Sequence, residues 1–308
     1  WATKMKLTIL HHDLENTEAK LEESLLEKGI DIQLIDIRDA QIEDFKDTDL
    51  VLNRVYASVA NRDYPSIENT LIILKKLEEK GIKCLNSHKA SFFDYNKFES
   101  SKIMEENGVL NPKTIFLNGG EPKIKEIVET LSFPIIVKRN TGGRGKDLAK
   151  CHTEGELINA ISNIREEAEY NGGIVFQEFL EPAEDNDYRV WVIGGEISFY
   201  HKRSLIALKD NEKPWLASRS LGSKILIADE ELSEEIKELA IKSTKAIKAD
   251  LNVLDIIKTK KGYAVIENNP TPNLRPEYIE VIGFNPVEFL YKQITKACPL
   301  TEIEINVK

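Results

Sequence analysis

Residues 252–273 read NVLDIIKTKKGYAVIENNPTPN, and their spacing predicts a β-hairpin. The runs 253–258 and 263–268 are rich in strand formers, and Lys260-Lys261-Gly262 between them carries the glycine of a three-residue loop. A turn centred on Lys261 sets Asp255 directly opposite Glu267. Strand side chains alternate, so Asn269 falls on the same face as Glu267 and three oxygen-bearing groups converge. Two carboxylates and an amide oxygen are a hard donor set that suits Mg²⁺. Solvated strand carboxylates followed by an ordinary Asn269-Pro270 turn fit the same letters equally well.

The rest of the chain bounds what such a site could serve. At 308 residues, 41% hydrophobic and 31% charged, it is long enough for two or three domains with real cores. Asp plus Glu is 52 against 42 for Lys plus Arg, and the net charge of −10 argues against nucleic acid or an anionic membrane as the main partner. An anionic ligand would need a local basic pocket. Apolar runs such as 135–137 fall far short of the roughly 20 residues of a membrane span, and Lys4-Met5-Lys6 opens no signal-peptide apolar region, so a cytoplasmic location is expected. Cys84, Cys151 and Cys298 are too far apart in sequence to form a metal or redox pair, and an odd count is a poor disulfide framework.

Short apolar runs alternate with helical patterns from the start. Strands are expected at 6–10, 32–37 and 50–53, and helices from Leu14 through Leu21 and Leu25 to Gly29 and from Pro65 to Lys80. This order implies a small parallel α/β domain over 1–87. Ligands of such sheets lie beyond the carboxyl ends of the strands, which makes Arg54 a candidate substrate contact. A single charged helix over 88–107 leads to Pro112, so 88–112 reads as a connection. Region 113–181 holds strands at 113–117, 133–138 and 173–180 and helices at 121–131 and 153–168. Region 182–308 opens with an antiparallel pair, 188–193 and 196–201, around Gly194-Gly195. A helix at 233–249, the hairpin and a closing helix at 286–297 follow.

Residues 138–147, KRNTGGRGKD, free the backbone at Gly142, Gly143 and Gly145 and place Lys138 and Arg144 beside it. Exposed amides and cations suit phosphate oxygens, although the spacing matches neither a P-loop nor G-x-G-x-x-G. Lys138 ends an apolar strand, where a charge needs either a partner or a route to water. Gln177-Glu178-Phe179-Leu180 closes a buried-looking strand whose backbone could read an adenine edge while Glu178 holds ribose hydroxyls. Asp187, Arg189 and Arg203 flank the antiparallel pair, and Arg219 and Arg275 add positive charge in an acidic chain, as an anionic substrate or acyl-phosphate would require.

The order of these features, from Lys97 through Lys138, the glycine loop, Gln177 to Leu180, Asp187 and Arg203 to Asp255, Glu267 and Asn269, resembles the ATP-grasp superfamily. Within it the chain is similar to the RimK-like carboxylate–amine ligases of the α-L-glutamate type. The resemblance implies a mixed α/β and α+β fold, with an N-terminal parallel α/β domain, a central lid and a C-terminal α+β domain gripping ATP. It implies that Lys97 and Lys138 contact the phosphates, that Gly142 to Gly145 close over them, and that Gln177 to Leu180 hold adenine and ribose with Asp187 near the sugar or phosphates. Asp255, Glu267 and Asn269 match the metal ligands, for one or two Mg²⁺ with Mn²⁺ as a substitute. Arg203 matches the arginine beside the acyl-phosphate, and Arg54, Arg189, Arg219, Asn273 and Arg275 are substrate candidates. The implied partners are a small-molecule or peptide carboxylate, an amino-acid amine such as glutamate, and further copies of the chain. A kinase acting on a hydroxyl and a non-catalytic ATP binder are the alternatives. One departure stands out: Asn269-Pro270-Thr271-Pro272-Asn273 lacks the family's usual small residue after the metal-binding Asn, and its glycine.

Overall fold

The computed structural model describes residues 5–298 except 15, 167–169, 229 and 275–276. The first sheet is parallel, with β1 (Lys6–His11), β2 (Asp31–Asp36), β3 (Leu50–Asn53) and β4 (Lys83–Leu85) in the order β2-β1-β3-β4. Helices α1 (Asn16–Glu27) and α2 (Tyr64–Glu79) make the crossovers. Leu14 lies before α1 and is exposed, so only Leu21 and Leu25 of the expected stripe reach the core.

The single helix expected over 88–107 is two, α3 (His88–Asp94) and α4 (Lys97–Glu106). Asn96 breaks the run: it leaves helical geometry at φ −137°, and its side chain accepts from the Glu99 amide at 3.0 Å to start the new helix. Asn96-x-x-Glu99 has the spacing of a helix start, and the break puts Lys97 at the first position of α4.

The central sheet joins β5 (Thr114–Leu117), β6 (Ile135–Arg139), β7 (Ala149–Cys151) and β8 (Ile174–Glu178), all antiparallel, in the order β5-β8-β6-β7. Short β7, which the sequence reading missed, returns from the glycine loop. Helices α5 (Ile124–Leu131) and α6 (Glu154–Arg165) cover this sheet, and Ile127, Val137, Leu157, Ile161 and Phe176 give it a core of its own.

The last sheet runs β11-β10-β9-β12-β13, from β9 (Asn186–Ile193), β10 (Glu196–Ser204), β11 (Ile225–Leu226), β12 (Leu251–Thr259) and β13 (Gly262–Asn269). Its two faces follow from period-two alternation. Val190, Leu254 and Val265 pack under α7 (Glu234–Ala246), against Ile236 and Ala240. On the opposite face Trp191, Ile193, Leu251 and Val253 share one core with Leu7 and Ile9 of the first sheet, helped by α8 (Glu277–Ile282) and α9 (Pro286–Ala297) through Tyr278 and Leu290. That face is apolar at one end and charged at the other, because Asp187 and Arg189 on β9 and Asp255 on β12 continue the same alternation. Burying each large apolar side chain there contributes about 1.5–3 kcal/mol, which holds the first and last sheets as one body while the central sheet keeps a separate core.

Candidate active site

One cavity of about 530 Å³ is walled by the central sheet, the charged end of the last sheet, the start of α4 and the turn at Tyr56-Ala57-Ser58. Its size is ordinary for a small-molecule site. Across the last sheet, Arg203 stands opposite Asp187, Arg189 opposite Asp255, and Asp255 opposite Glu267. Directly opposed residues share a face, so β10, β9, β12 and β13 present one row of charges to the cavity.

The hairpin reaches this register by a route different from the one expected. Its turn is Lys260-Lys261, with Thr259 already opposite Gly262 at φ +115°. On that shorter turn Asp255 would face Ile266. The register shifts between Asp255 and Ile256, an extra residue in β13 absorbs the difference, and both Ile266 and Glu267 line the cavity. Without that bulge, a one-residue slip would turn Glu267 to the α7 side.

Arg203 donates through Nε to Asp187 Oδ1 at 3.1 Å and through Nη2 to Asp187 Oδ2, and Nη2 lies 2.9 Å from Asp255 Oδ2. Arg189 Nη1 donates to Asp255 at 2.8 and 3.2 Å. Burial pushes the Asp255 carboxyl up, but Arg189 and Arg203 outweigh it and hold the group below the usual carboxylate range. Asp255 is therefore ionised, as a metal ligand must be. Asn269 commits its amide nitrogen to the Val253 carbonyl at 2.9 Å, leaving its oxygen as the donor atom. Among the described residues no group of three His, Cys, Asp or Glu side chains is placed to hold a metal. Asp255, Glu267 and Asn269 offer two carboxylates and an amide oxygen, a hard donor set of the kind Mg²⁺ takes.

Lys97 Nζ donates to the Gly142 carbonyl at 2.7 Å and lies 3.7 Å from Glu267 Oε1. Lys138, on β6, carries no ion pair among the described residues, and burial pulls its ammonium down to about 8 despite Glu267 and Asp255 nearby. A phosphate beside it would restore the charge. Nucleotide binding should therefore take up about half a proton at pH 8 and less at pH 7, and affinity should fall as pH rises above 8. Calorimetry in buffers of different ionisation enthalpy measures the uptake. Lys138→Arg, always charged, should bind without it.

Between β6 and β7 the glycine loop is folded onto the N-terminal body. Asn61 Nδ2 donates to the Gly143 carbonyl at 3.0 Å, and Ser220 Oγ to that of Arg144 at 3.2 Å. A Cβ on Gly142 would sit 2.7 Å from Asn61 Oδ1, and one on Gly145 2.8 Å from Leu221 Cδ1, so both glycines answer a close approach at positive φ. Gln177, Glu178, Phe179 and Leu180 also line the cavity, with Gln177 Nε2 on Thr114 Oγ1 and Glu178 between the Lys113 amide and Lys261. Trp215 meets Phe179 edge to face at 6.0 Å, and Lys150 Nζ lies 4.1 Å from the Phe179 ring. Sequence reading passed over Trp215, whose only signal is an aromatic residue in the polar stretch KDNEKPW.

One expectation needs correction. Arg54 is 1% exposed and does not line the cavity; its guanidinium donates to Tyr56 OH and the Pro272 carbonyl, both at 2.8 Å, and to Glu18 Oε1 at 3.4 Å. It ties β3 to the loop after β13, a tertiary contact that no local spacing reveals. Asp187 lines the cavity as expected, with both carboxylate oxygens accepting from Arg203. Arg189, Arg219 and Asn273 line the cavity, Arg219 with Nη1 on the Ser223 carbonyl at 2.8 Å. Arg275 lies outside the described residues.

Comparison with known proteins agrees with this architecture. The model of the RimK-like ATP-grasp domain matches residues 94–285. A probable alpha-L-glutamate ligase of Haemophilus influenzae is 30% identical over 202 residues, 66% of this chain and 64% of that protein, so the match spans just under two thirds of the relative. Beta-citrylglutamate synthase B of Mus musculus is 28% identical over 66% of this chain and 50% of its own length. In structure, the D-alanine–D-alanine ligase of Bacillus anthracis superposes with a TM-score of 0.71 over 95% of this chain and 97% of that one, at 18% identity. No helix among the described residues is long and apolar enough to cross a membrane. A family model covering more than half of the chain, on a fold whose central and last sheets wall one charged cavity, settles the kinship: the chain belongs to the RimK-like ATP-grasp domain family.

Proposed function

We propose that the protein is an ATP-dependent carboxylate–amine ligase working through an acyl-phosphate. The observation that carries this reading is the row Arg203, Asp187, Arg189, Asp255 and Glu267 across four strands, facing Lys97 and Lys138 in one cavity. Lys97 and Lys138 would hold the ATP phosphates, and the wall of Gln177, Phe179, Leu180 and Trp215 the base. Asp255, Glu267 and Asn269 would hold Mg²⁺, which when bound neutralises phosphate charge. The substrate carboxylate attacks the γ-phosphorus, ADP leaves, and the amine then attacks the acyl carbon to expel phosphate. Arg203, on the sheet face beneath, would stabilise the charged intermediates. The glycine loop, resting on Asn61 and Leu221, would keep water from the acyl-phosphate.

Glutamate is the first amine donor to test, since the Haemophilus relative is named a glutamate ligase and Arg189 and Arg219 line the cavity. The test is ADP release with a panel of free amino acids and short glutamyl peptides as acceptors, with and without L-glutamate. Acceptor-dependent ADP that requires the amine supports the ligase. ADP that forms without any amine, with a phosphorylated hydroxyl product, points to a kinase. ATP binding without turnover on any acceptor leaves only a binding protein.

A further inference from the structure

Asp94 is the last residue of α3 and lines the cavity, three residues before Lys97 across the break between α3 and α4. The other acidic residues of the wall each have a cation: Glu178 has Lys261 at 3.5 Å, Asp187 has Arg203, Asp255 has Arg189 at 2.8 Å and Glu267 has Lys97 at 3.7 Å. Asp94 has none within ion-pair distance among the described residues, and its Oδ2 is buried without a hydrogen-bond partner. The Thr271 side chain, in the loop where the chain departs from its family, pulls the Asp94 carboxyl down against its burial. A carboxylate in such a place costs several kcal/mol unless a cation compensates it or a proton neutralises it. No cation of the described residues lies within ion-pair distance of it, which leaves a proton or a cationic group of the ligand to neutralise it.

We propose that Asp94 receives the ammonium group of the amine donor and accepts its proton before attack on the acyl-phosphate. This deepens the ligase reading and rests on it. The donor arrives as R–NH₃⁺ and passes one proton to the Asp94 carboxylate. The freed lone pair forms the C–N bond at the acyl carbon, the C–O bond to phosphate breaks with its electron pair, and the second proton leaves with phosphate as HPO₄²⁻. Burial holds the Asp94 carboxyl up at about 7, against the pull of Thr271, Lys97 and Arg54 and with the push of Glu267, a value matched to taking and releasing a proton near neutrality.

Hydroxylamine separates this role from others, because it is already neutral at neutral pH and traps the acyl-phosphate without needing a base. The full chain is assayed with ATP, the same acceptor panel, and either L-glutamate or hydroxylamine, and the ratio of amide to hydroxamate is compared between wild type and Asp94→Asn. The ratio should fall by about 10²–10⁴ in the variant, the usual contribution of a positioned acid or base. Thr271→Val, which frees Asp94 to turn, should lower it severalfold. An unchanged ratio, whatever the absolute rates, overturns the proposal, including the case in which Asp94 instead holds a metal ion and both products fall together. If wild type makes neither product on any acceptor, the ligase reading fails and takes this one with it; if it makes both, only Asp94 is at stake.

Discussion

Asp255→Ala should abolish turnover and lower stability, whereas Glu267→Ala should abolish turnover with the unfolding midpoint nearly unchanged. Both residues belong to the same proposed metal site, and the contrast comes from their surroundings. Asp255 accepts from Arg189 at 2.8 Å and is ion-paired with Arg203 at 2.9 Å, with Arg203 only 4% exposed. Removing it leaves two guanidinium groups facing Asp187 alone, and stripping one partner from a buried charge network costs about 3–5 kcal/mol. Glu267 is about one third exposed and 3.7 Å from Lys97, a pair in the range of about 0–1 kcal/mol. Denaturant unfolding beside the ADP assay reads both effects. Equal midpoints for the two variants would show that the arginine–aspartate network does not hold the sheet together, and near-normal ADP release in either would remove that residue from the metal site.

The same contrast shows what was legible in the chain. Alternation and a glycine were enough to put Asp255 and Glu267 on adjoining strands of one hairpin, but their expected pairing holds only because a shorter turn and a bulge offset each other. The bulge at Ile266 was not legible: a two-residue turn and a three-residue turn predict different partners, and only the pairing of β12 with β9 as well as β13 decides between them. The start of α4 at Asn96 could have been read from Asn96-x-x-Glu99, and was hidden by the assumption that charged positions continue one helix. Arg54, Asp94 and Trp215 depend on contacts made across the fold, with Pro272, Thr271 and Phe179, and no window of sequence contains both partners. Placement in the cavity was thus largely readable for residues on regular strands and least readable for residues whose meaning is a missing or distant partner.

Arg203→Lys should lower kcat by about 10²–10³, the usual cost of losing a donor aimed at a developing charge, while ATP affinity stays within severalfold. The substitution keeps one positive charge between Asp187 and Asp255, so the sheet should survive it. It loses the planar fork that donates through Nε and Nη2 to both Asp187 oxygens, and lysine cannot reproduce that bidentate aim. If Asp187 acts only by aiming Arg203, then Asp187→Asn in the Arg203→Lys background should cost little more, because the geometry it maintains is already gone. The double-mutant cycle on kcat decides the point. Multiplying effects would mean that Asp187 makes a contact of its own with the nucleotide, which is the role its place in the family order first suggested. Strongly coupled effects would mean that the two residues form one device, with the carboxylate holding the guanidinium and the guanidinium meeting the intermediate.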